Sequence, residues 1–535
     1  MRINQSKSGP LILLAALLLG IIVAFHIGLA LTGRPMYRPT HIGTALQYAR
    51  HGIDLLNPVI IGFNAGNTPT LQEFPLWQAL TALAFQVSHS RWLGWGNLVS
   101  LALFMTCLWP LFSLACRHLG ERAAGWTLAF FLAQPLVVVY AGEASPDGLS
   151  LAAVIWFMFA ADRMFQTGAL RWCLAATLAG TVAALTKLPF FMTAGLCAAF
   201  LLAGTARANG RAWGMLAAAG CVAAAAFFAW TARANTMAAA AEYPYVEMRL
   251  SESPFLRYWF FGDLAYRLSP GHWVKGGWRF LHGTLGSLPF LALVIAALLR
   301  SGAVLPKLWL AAGAATTLVF THLVLEHWHY YLMLSPAIAM LCGSTVAWLE
   351  ELWPAGFGWR RLWPGLGGLA LLLGSIQGLN AMKLAIDLDP YPKDVAALVA
   401  RHTQPTDKLL LYQCDPTWGG ELLFLSQRAG LSVMELERRP NGPSPKGLFD
   451  LLRNPEDLKR LRQLGFNKLV LVSESPVRHA VEAAKPGRPR QRRVYPADIS
   501  PQVNAWPEVL RTENVLIRAW PEPVTSEDTP KGGMK

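Results

Sequence analysis

The stretch "PLVVVYAGEASPDGLSLAAVIWFMFA" (Pro135–Ala160) decides the fold. An apolar run ends near Tyr140, a short polar turn carries Glu143 and Asp147, and a second apolar run follows at once. Two such runs about so short a turn read as neighbouring hydrophobic helices. Asp147 follows Pro146 and opens the second helix. There a carboxylate caps free N–H groups and complements the helix dipole. The functional alternative is binding of a substrate or cation at a membrane face, since a carboxylate near a bilayer must be hydrated, paired or metal-bound.

Working outward, the same pattern recurs. Of 535 residues, 54% are hydrophobic and only 15% charged, against about 25% charged in soluble domains. About eleven runs are long enough to read as spans, at roughly 10–32, 92–115, 123–140, 147–165, 171–186, 189–206, 212–231, 281–299, 307–325, 330–349 and 363–384. The first is longer than the apolar part of a signal peptide and no A-x-A cleavage site follows, so it reads as a retained helix. The expected fold is therefore a polytopic all-α membrane protein with about eleven transmembrane helices.

The net charge is +14, but the basic residues flank apolar runs, which argues for topology and against nucleic-acid binding. With the N-terminus inside, the inner segments hold Arg2 and Lys7, Arg117 and Arg122, Arg163 and Arg171, Arg207 and Arg211, Arg300 and Lys307, and Arg360 and Arg361. The short outer turns hold almost no Lys or Arg. This positive-inside pattern places the N-terminus in the cytoplasm and the C-terminal segment outside. Six of the seven cysteines lie in or beside apolar runs and none has metal spacing, so neither a disulfide framework nor a thiolate site is implied.

The transmembrane domain is assigned to 1–386. Its first outer loop, 33–91, contains "THIGTALQYARHG" and "EFPLWQALTALAFQV", both at helical spacing and both expected in the interface plane. A second long outer loop, 232–280, is rich in Trp, Tyr and Arg. Residues 387–520 alternate "PKDVAALVARHT" and "PEDLKRLRQLG", which read as helices, with "DKLLLYQC" and "FNKLVLVS", which read as strands. This predicts a C-terminal α/β soluble domain on the outer face, with some parallel pairing. No phosphate-binding glycine motif occurs in it, so no nucleotide cofactor is supported. The basic run "KPGRPRQRRVYP" reads as a solvated loop or a contact for anionic headgroups or a phosphorylated acceptor. The tail 521–535 reads as disordered.

Acids are scarce in the apolar part, and those at predicted outer ends are candidates. Glu73, in "TLQEFPLWQAL" (Thr70–Leu80), stands alone before an apolar helix; Asp54, Glu143 and Asp147 also fall outside. Arg34, Arg38, His41 and Arg50 in the first loop read either as lipid-phosphate contacts or as a clamp for the phosphate of a lipid-linked substrate. Lys187, in "ALTKLPFF", reads as a snorkelling side chain or a phosphate clamp. "LEHWHYYLMLSP" gathers His327, His329, Tyr330 and Tyr331, either as an aromatic belt or as a site for phosphate or metal.

Four motifs, in order, resemble the GT-C integral-membrane glycosyltransferases, most closely the branch of the bacterial lipid A aminoarabinose transferase and the dolichyl-phosphate-mannose protein mannosyltransferases. They are "ALQYARHGIDLLNP", "EFPLWQAL", the opening stretch with Asp147, and "HWHYYLMLSP". The likeness covers roughly residues 10–350. It implies a polyprenyl-phosphate-linked sugar donor, with transfer to lipid A, another envelope glycan or a protein at the outer face of the bacterial inner membrane. It implies that Glu73 matches an acid that helps hold a divalent metal ion, and that Asp147 matches a second-loop Asp. Lys187 and His327–Tyr331 fall where donor or phosphate contacts are expected. The family's base is usually a first-loop acid, and "YRPTHIGTA" has none. His41 is taken as the base, as an imidazole suits neutral pH; Asp54 or Glu73 could substitute, or the standard activity has been lost. A transporter or flippase for lipid-linked glycans is the competing class, and would need polar groups at mid-membrane, where helix centres are clean; a non-catalytic GT-C-like subunit is the third reading, in line with the missing acid.

Overall fold

The computed structural model describes residues 5–32, 36–59, 73–204, 210–240, 252–300, 302–352, 362–385, 391–414, 421–434, 451–452, 454–476, 479 and 501–521. The chain divides into two compact units, a helical one made of Met1–Pro58, Leu71–Thr236 and Arg249–Leu388, and a mixed one made mostly of Asp389–Lys535. The sequence placed that boundary between residues 386 and 387. The run "KPGRPRQRRVYP" and residues 522–535 of the tail lie outside the described residues.

In the helical unit, five helices among the described residues are long and apolar enough to cross a membrane: Gly9–Leu31, Gly94–Leu119, Asp147–Thr167, Gly210–Ala239 and Trp328–Leu352. A sixth follows if Pro270–Leu285 and Leu288–Leu299, bent by 97°, count as one span. Shorter apolar helices include Leu170–Thr186, Leu188–Ala203, Val304–Val319 and Gly365–Asn380. Length and apolarity alone thus give five or six spans, and not the eleven read from hydropathy. The difference arises where a run is interrupted or where its helix falls short of 18 residues, as Leu170–Thr186 does. The run at 123–140, for example, is α6 (Glu121–Ala133) and α7 (Pro135–Tyr140). Gln134 between them is extended (φ −68°, ψ 131°), because a residue before proline is pushed out of the helical region.

Burial sorts these helices. The window in α8 (Asp147–Thr167) is 89% buried, against 22% in α1 (Gln5–Leu31) and α11 (Gly210–Ala239). A helix apolar on every side and buried on every side forms a core, so α8 is central while α1 and α11 expose apolar surface. The last core helix before the α/β unit, Ser335–Leu352, lies against α6 so closely that a Cβ on Gly343 would meet the Ala123 carbonyl oxygen at 2.6 Å. Small residues permit such backbone approach.

The ends of α8 differ in chemistry. Asp147 stands at its start. Asp162, about 22 Å along at 1.5 Å per residue, is paired with Arg117 and lies 3.1 Å from His118. Arg122 pairs with Glu350. The two loop helices of the first predicted outer segment are α2 (Pro39–His51) and α3 (Leu76–Val87). They pack together through Tyr48, Ala79 and Ala82.

The mixed unit holds a five-stranded sheet of order β2-β1-β3-β5-β4. β1 (Lys408–Gln413) runs parallel to both β2 (Ala429–Met434) and β3 (Phe466–Val472). β5 (Val515–Ala519) is antiparallel to β3 and to β4 (Glu508–Arg511). The helix Tyr391–Arg401 closes one face through Val395, Ala396 and Val399, packed with Leu409, Leu411, Val470 and Val472. Alternate residues of these strands face that helix, as the two-residue side-chain period requires.

Candidate functional site

Three breaks in helical structure converge at the start of α8. The first loop reaches it through backbone bonds: Ala144 N–H donates to the Met36 carbonyl at 2.9 Å, and Tyr37 forms a parallel bridge with Ala144. Asn97 locks this junction by donating to the carbonyls of Met36 (2.8 Å) and Gly142 (2.6 Å). The segment before α3 is tied down by Phe74 N–H, which donates to Leu185 O at 2.9 Å. That bond brings Glu73 beside Lys187, the residue between α9 (Leu170–Thr186) and α10 (Leu188–Ala203).

The result is a chain of charges in which Asp147 and Lys187 are buried and Arg38, His41, Glu73 and Glu143 are half-buried. Arg38 lies 3.2 Å from Glu143 and 2.9 Å from Asp147. Lys187 lies 3.2 Å from the other Asp147 oxygen and 2.8 Å from Glu73. Glu73 in turn faces His41 Nε2 at 3.9 Å. Asp147 is fully buried and also accepts from Ser145 Oγ at 3.0 Å. Arg38 stacks over Tyr140 (5.5 Å to the ring centre) and Lys187 over Tyr330 (4.9 Å).

Electrostatics follow from this geometry. Burial works against charge on Arg38, but Asp147 and Glu143 outweigh it, so the guanidinium stays charged. Burial also opposes charge on Lys187, and Asp147 and Glu73 more than restore it. Burial pushes the Glu143 carboxyl up in spite of Arg38. His41 is pulled down to about 4 by burial; Glu73 works the other way, and Arg38 and Lys187 add to the fall. An imidazole there is neutral at pH 7. It is not tuned to neutral pH, as the sequence reading supposed; its basicity is that of an ordinary carboxylate, for which the reference is about 4.

His41 Nδ1 lies 3.0 Å from Gln78 Nε2. If the amide is turned so that its oxygen accepts from Nδ1–H, the lone pair of Nε2 is left facing the cluster. Gln78, on α3, was missed from the sequence because an amide on an apolar helix carries no chemical signature. Tyr140 and Ser145 were missed for the same reason, although both lie inside the quoted stretch around Asp147.

The structure therefore brings Arg38, His41, Glu73, Glu143, Asp147, Lys187 and Tyr330 together. His329 adjoins them, its ring 4.5 Å from Tyr330 and 5.9 Å from Tyr140. His327 packs on Trp259 at 4.6 Å, 5.8 Å from His329, and its buried Nε2 has no hydrogen-bond partner among the described residues. Asp54 does not join. It is exposed and accepts from Leu56 N, Asn57 N and Asn57 Nδ2, so it builds a turn, as Asp does where its side chain can reach the backbone two residues on. Tyr331 does not join either: its hydroxyl donates to Gly276 O at 3.1 Å. Glu326 gathers Tyr266, Lys275 and Arg279. Burial raises it, but Lys275, Tyr266 and Arg279 together hold it at about 2.

A divalent ion at Glu73 would meet donors that are already engaged. One Glu73 oxygen accepts from Lys187, Asp147 Oδ2 meets Arg38 and Ser145, and Asp147 Oδ1 is paired with the Lys187 charge at 3.2 Å. Among the described residues no group of three or more His, Cys, Asp or Glu side chains is arranged to hold a metal. With Lys187 in place, the residues do not fit a divalent ion.

Loop residues set over a core of buried helices, with a small sheet unit after them, give the fold of the GT-C membrane glycosyltransferases. Among solved structures, the chain is similar to ArnT from Cupriavidus metallidurans in the apo state, at 16% identity over 93% of this chain and 97% of that one, TM-score 0.56. ArnT bound to undecaprenyl phosphate matches at 16% identity over 96% and 98% of the two chains, TM-score 0.57. The Archaeoglobus fulgidus oligosaccharyltransferase in the apo form matches at 10% identity over 88% and 70%, TM-score 0.59. No protein-family model matches the chain, and no curated protein matches it in sequence. At such identities the likeness establishes the fold.

Proposed function

We propose that this chain is an integral-membrane glycosyltransferase that moves a sugar from a polyprenyl-phosphate-linked donor to an envelope acceptor, whether lipid A, a glycan or a protein. The observation that carries this is the buried cluster itself. Two cations, Arg38 and Lys187, stand beside three carboxylates and a neutral imidazole, all within hydrogen-bond or ion-pair reach of a neighbour. The solved ArnT complex with undecaprenyl phosphate, of the same fold, supports a donor of this kind.

In the proposed reaction an acceptor hydroxyl oxygen attacks the anomeric carbon. The bond from that carbon to the phosphate oxygen breaks, and polyprenyl phosphate leaves with the electron pair. The acceptor proton passes to His41 Nε2, with Gln78 holding the ring and Glu73 facing it; a positioned base of this type is worth about 10²–10⁴-fold. Arg38 and Lys187 oppose the charge that grows on the phosphate, the task preorganised cations do best in a dry site. Asp147 and Glu143 fix the two cations in place. Topology completes the reading: an inner-membrane protein of about eleven spans, some short or broken, with its N-terminus cytoplasmic and its α/β unit periplasmic.

The test is purified protein incubated with a panel of hexosyl- and pentosyl-polyprenyl phosphates, scored by release of polyprenyl phosphate. His41→Asn, Glu73→Gln and Asp147→Asn are run beside wild type. Turnover of one donor that falls in all three variants supports the assignment. Full activity in all three removes the site. No turnover of any donor, with movement of a lipid-linked glycan across vesicles, would favour the flippase.

A further inference from the structure

Lys187 sits where the chain leaves one helix and enters the next. Its backbone is extended (φ −151°, ψ 96°), and Pro189 falls in the first turn of α10. The carbonyl of Lys187 accepts from Phe190 N at 3.0 Å, which fixes the break. Its side chain is only 2% exposed. An ammonium has three donors. One is donated to Glu73 Oε1 at 2.8 Å, and Asp147 Oδ1 faces the ammonium as an ion-pair partner at 3.2 Å. The Tyr330 ring, centred 4.9 Å away, covers the remaining side.

We propose that the Lys187 ammonium fills the cation position between Glu73 and Asp147 that a bridging divalent metal would take, so that this chain compensates the two carboxylates with its own side chain. Space is the first reason. Carboxylate-bound Mg²⁺ or Ca²⁺ sits at about 2.0–2.6 Å from oxygen. An ion bridging these oxygens would therefore fall against Nζ. Charge is the second. A fixed buried cation beside the seat repels a divalent ion, and Arg38 at 2.9 Å from Asp147 adds to the repulsion. Connectivity is the third. Lys187 belongs to the break between α9 and α10, and Phe74 N–H bonds to Leu185 O, two residues before it. The cation is thus built into the same backbone junction that places Glu73.

Removing the ammonium should convert the seat into a metal site. Glu73 and Asp147 would lose their shared partner, and His41 stands 3.9 Å from Glu73 as a third donor. Lysine in place of a metal also makes the cation permanent, so activity would not depend on divalent ions.

The inference rests on the proposed transferase activity only for its turnover readout; metal binding is measured without turnover. Full-length wild type and Lys187→Ala are purified, stripped with chelator, and titrated with Mn²⁺ by electron paramagnetic resonance, with Zn²⁺ content measured after dialysis. Wild type is expected to show no saturable ion. Lys187→Ala is expected to gain a site with affinity higher by about 100-fold or more, or about 2.8 kcal/mol at 1.4 kcal/mol per decade, and Glu73→Gln in that background should abolish it. A saturable ion in wild type that Glu73→Gln removes would overturn the proposal, and so would a folded Lys187→Ala that gains no ion. Should Lys187→Ala fail to fold, Lys187→Gln is used for the same comparison, while the wild-type titration stands by itself. A donor panel that shows no turnover while these titrations behave as expected would sink the transferase reading and leave the cation seat intact.

Discussion

Replacing Asp147 by Asn tests whether the buried cluster is held by charge. The substitution keeps shape and removes one negative charge from a fully buried position. Asp147 touches Arg38 at 2.9 Å and Lys187 at 3.2 Å. At an effective dielectric of about 20, each contact at about 3 Å is worth roughly 5–6 kcal/mol before desolvation. Desolvating a buried carboxylate costs several kcal/mol, and breaking a buried pair costs about 3–5 kcal/mol net. In Asp147→Asn neither cation is stranded: Arg38 keeps Glu143 and Lys187 keeps Glu73. The expected loss is therefore about 3 kcal/mol, the low end of that range. In Lys187→Met, Glu73 is left among the described residues with His41 at 3.9 Å, so the loss should reach about 5 kcal/mol. Turnover should fall by about 10²-fold in Asp147→Asn, since a small displacement of a positioned group costs that much. The assay is unfolding in mixed micelles followed by tryptophan fluorescence, with donor turnover on the same samples. Asp147→Asn as stable as wild type, or less stable than Lys187→Met, would refute the charge-chain account.

Three further outcomes are expected. Burial holds folded His41 at about 4 against 6.5 for the free side chain, so below pH 6.5 the unfolded chain takes up a proton that the folded one refuses. His41 alone should cost about 3 kcal/mol of stability as pH drops from about 6.5 to about 4, and His327, which burial also holds at about 4, adds its own loss over the same range; His41→Asn should make the slope shallower by the His41 share in melts across this range. Asp54→Ala, which removes the turn acceptor for Leu56 N and Asn57 N, should keep donor turnover within about twofold of wild type and soften only its own turn; a large loss of turnover would return Asp54 to the site. Arg428 donates to Thr403 Oγ1, Thr403 O, Ala400 O and Ser426 O; Arg428→Met should destabilise the α/β unit by about 1.5–3 kcal/mol or more, read as earlier proteolysis there with the helical unit unchanged.

The sequence by itself determined the class of fold, because hydropathy is a property of consecutive residues and a membrane helix satisfies its own backbone. It also found most of the cluster. A lone acid such as Glu73 or Asp147, or a lone Lys187, is conspicuous in an apolar chain because charge near lipid is costly. In the α/β unit, strand composition and helix periodicity marked β1, β3 and the helices before them, since those signals are local. Only the tertiary structure decided which of these residues meet. The expected run at 123–140 broke at Gln134 because proline restricts the residue before it, and hydropathy averaging does not see that. Asp54 and Glu73 carry the same chemistry in one loop, yet one builds a turn and the other pairs with Lys187, more than a hundred residues away. That pairing depends on the backbone bond from Phe74 to Leu185. Gln78 on His41 and Tyr330 under Lys187 follow from the same packing. Partners so distant in sequence leave no spacing to read, because helices brought side by side are joined by geometry and burial and not by periodicity.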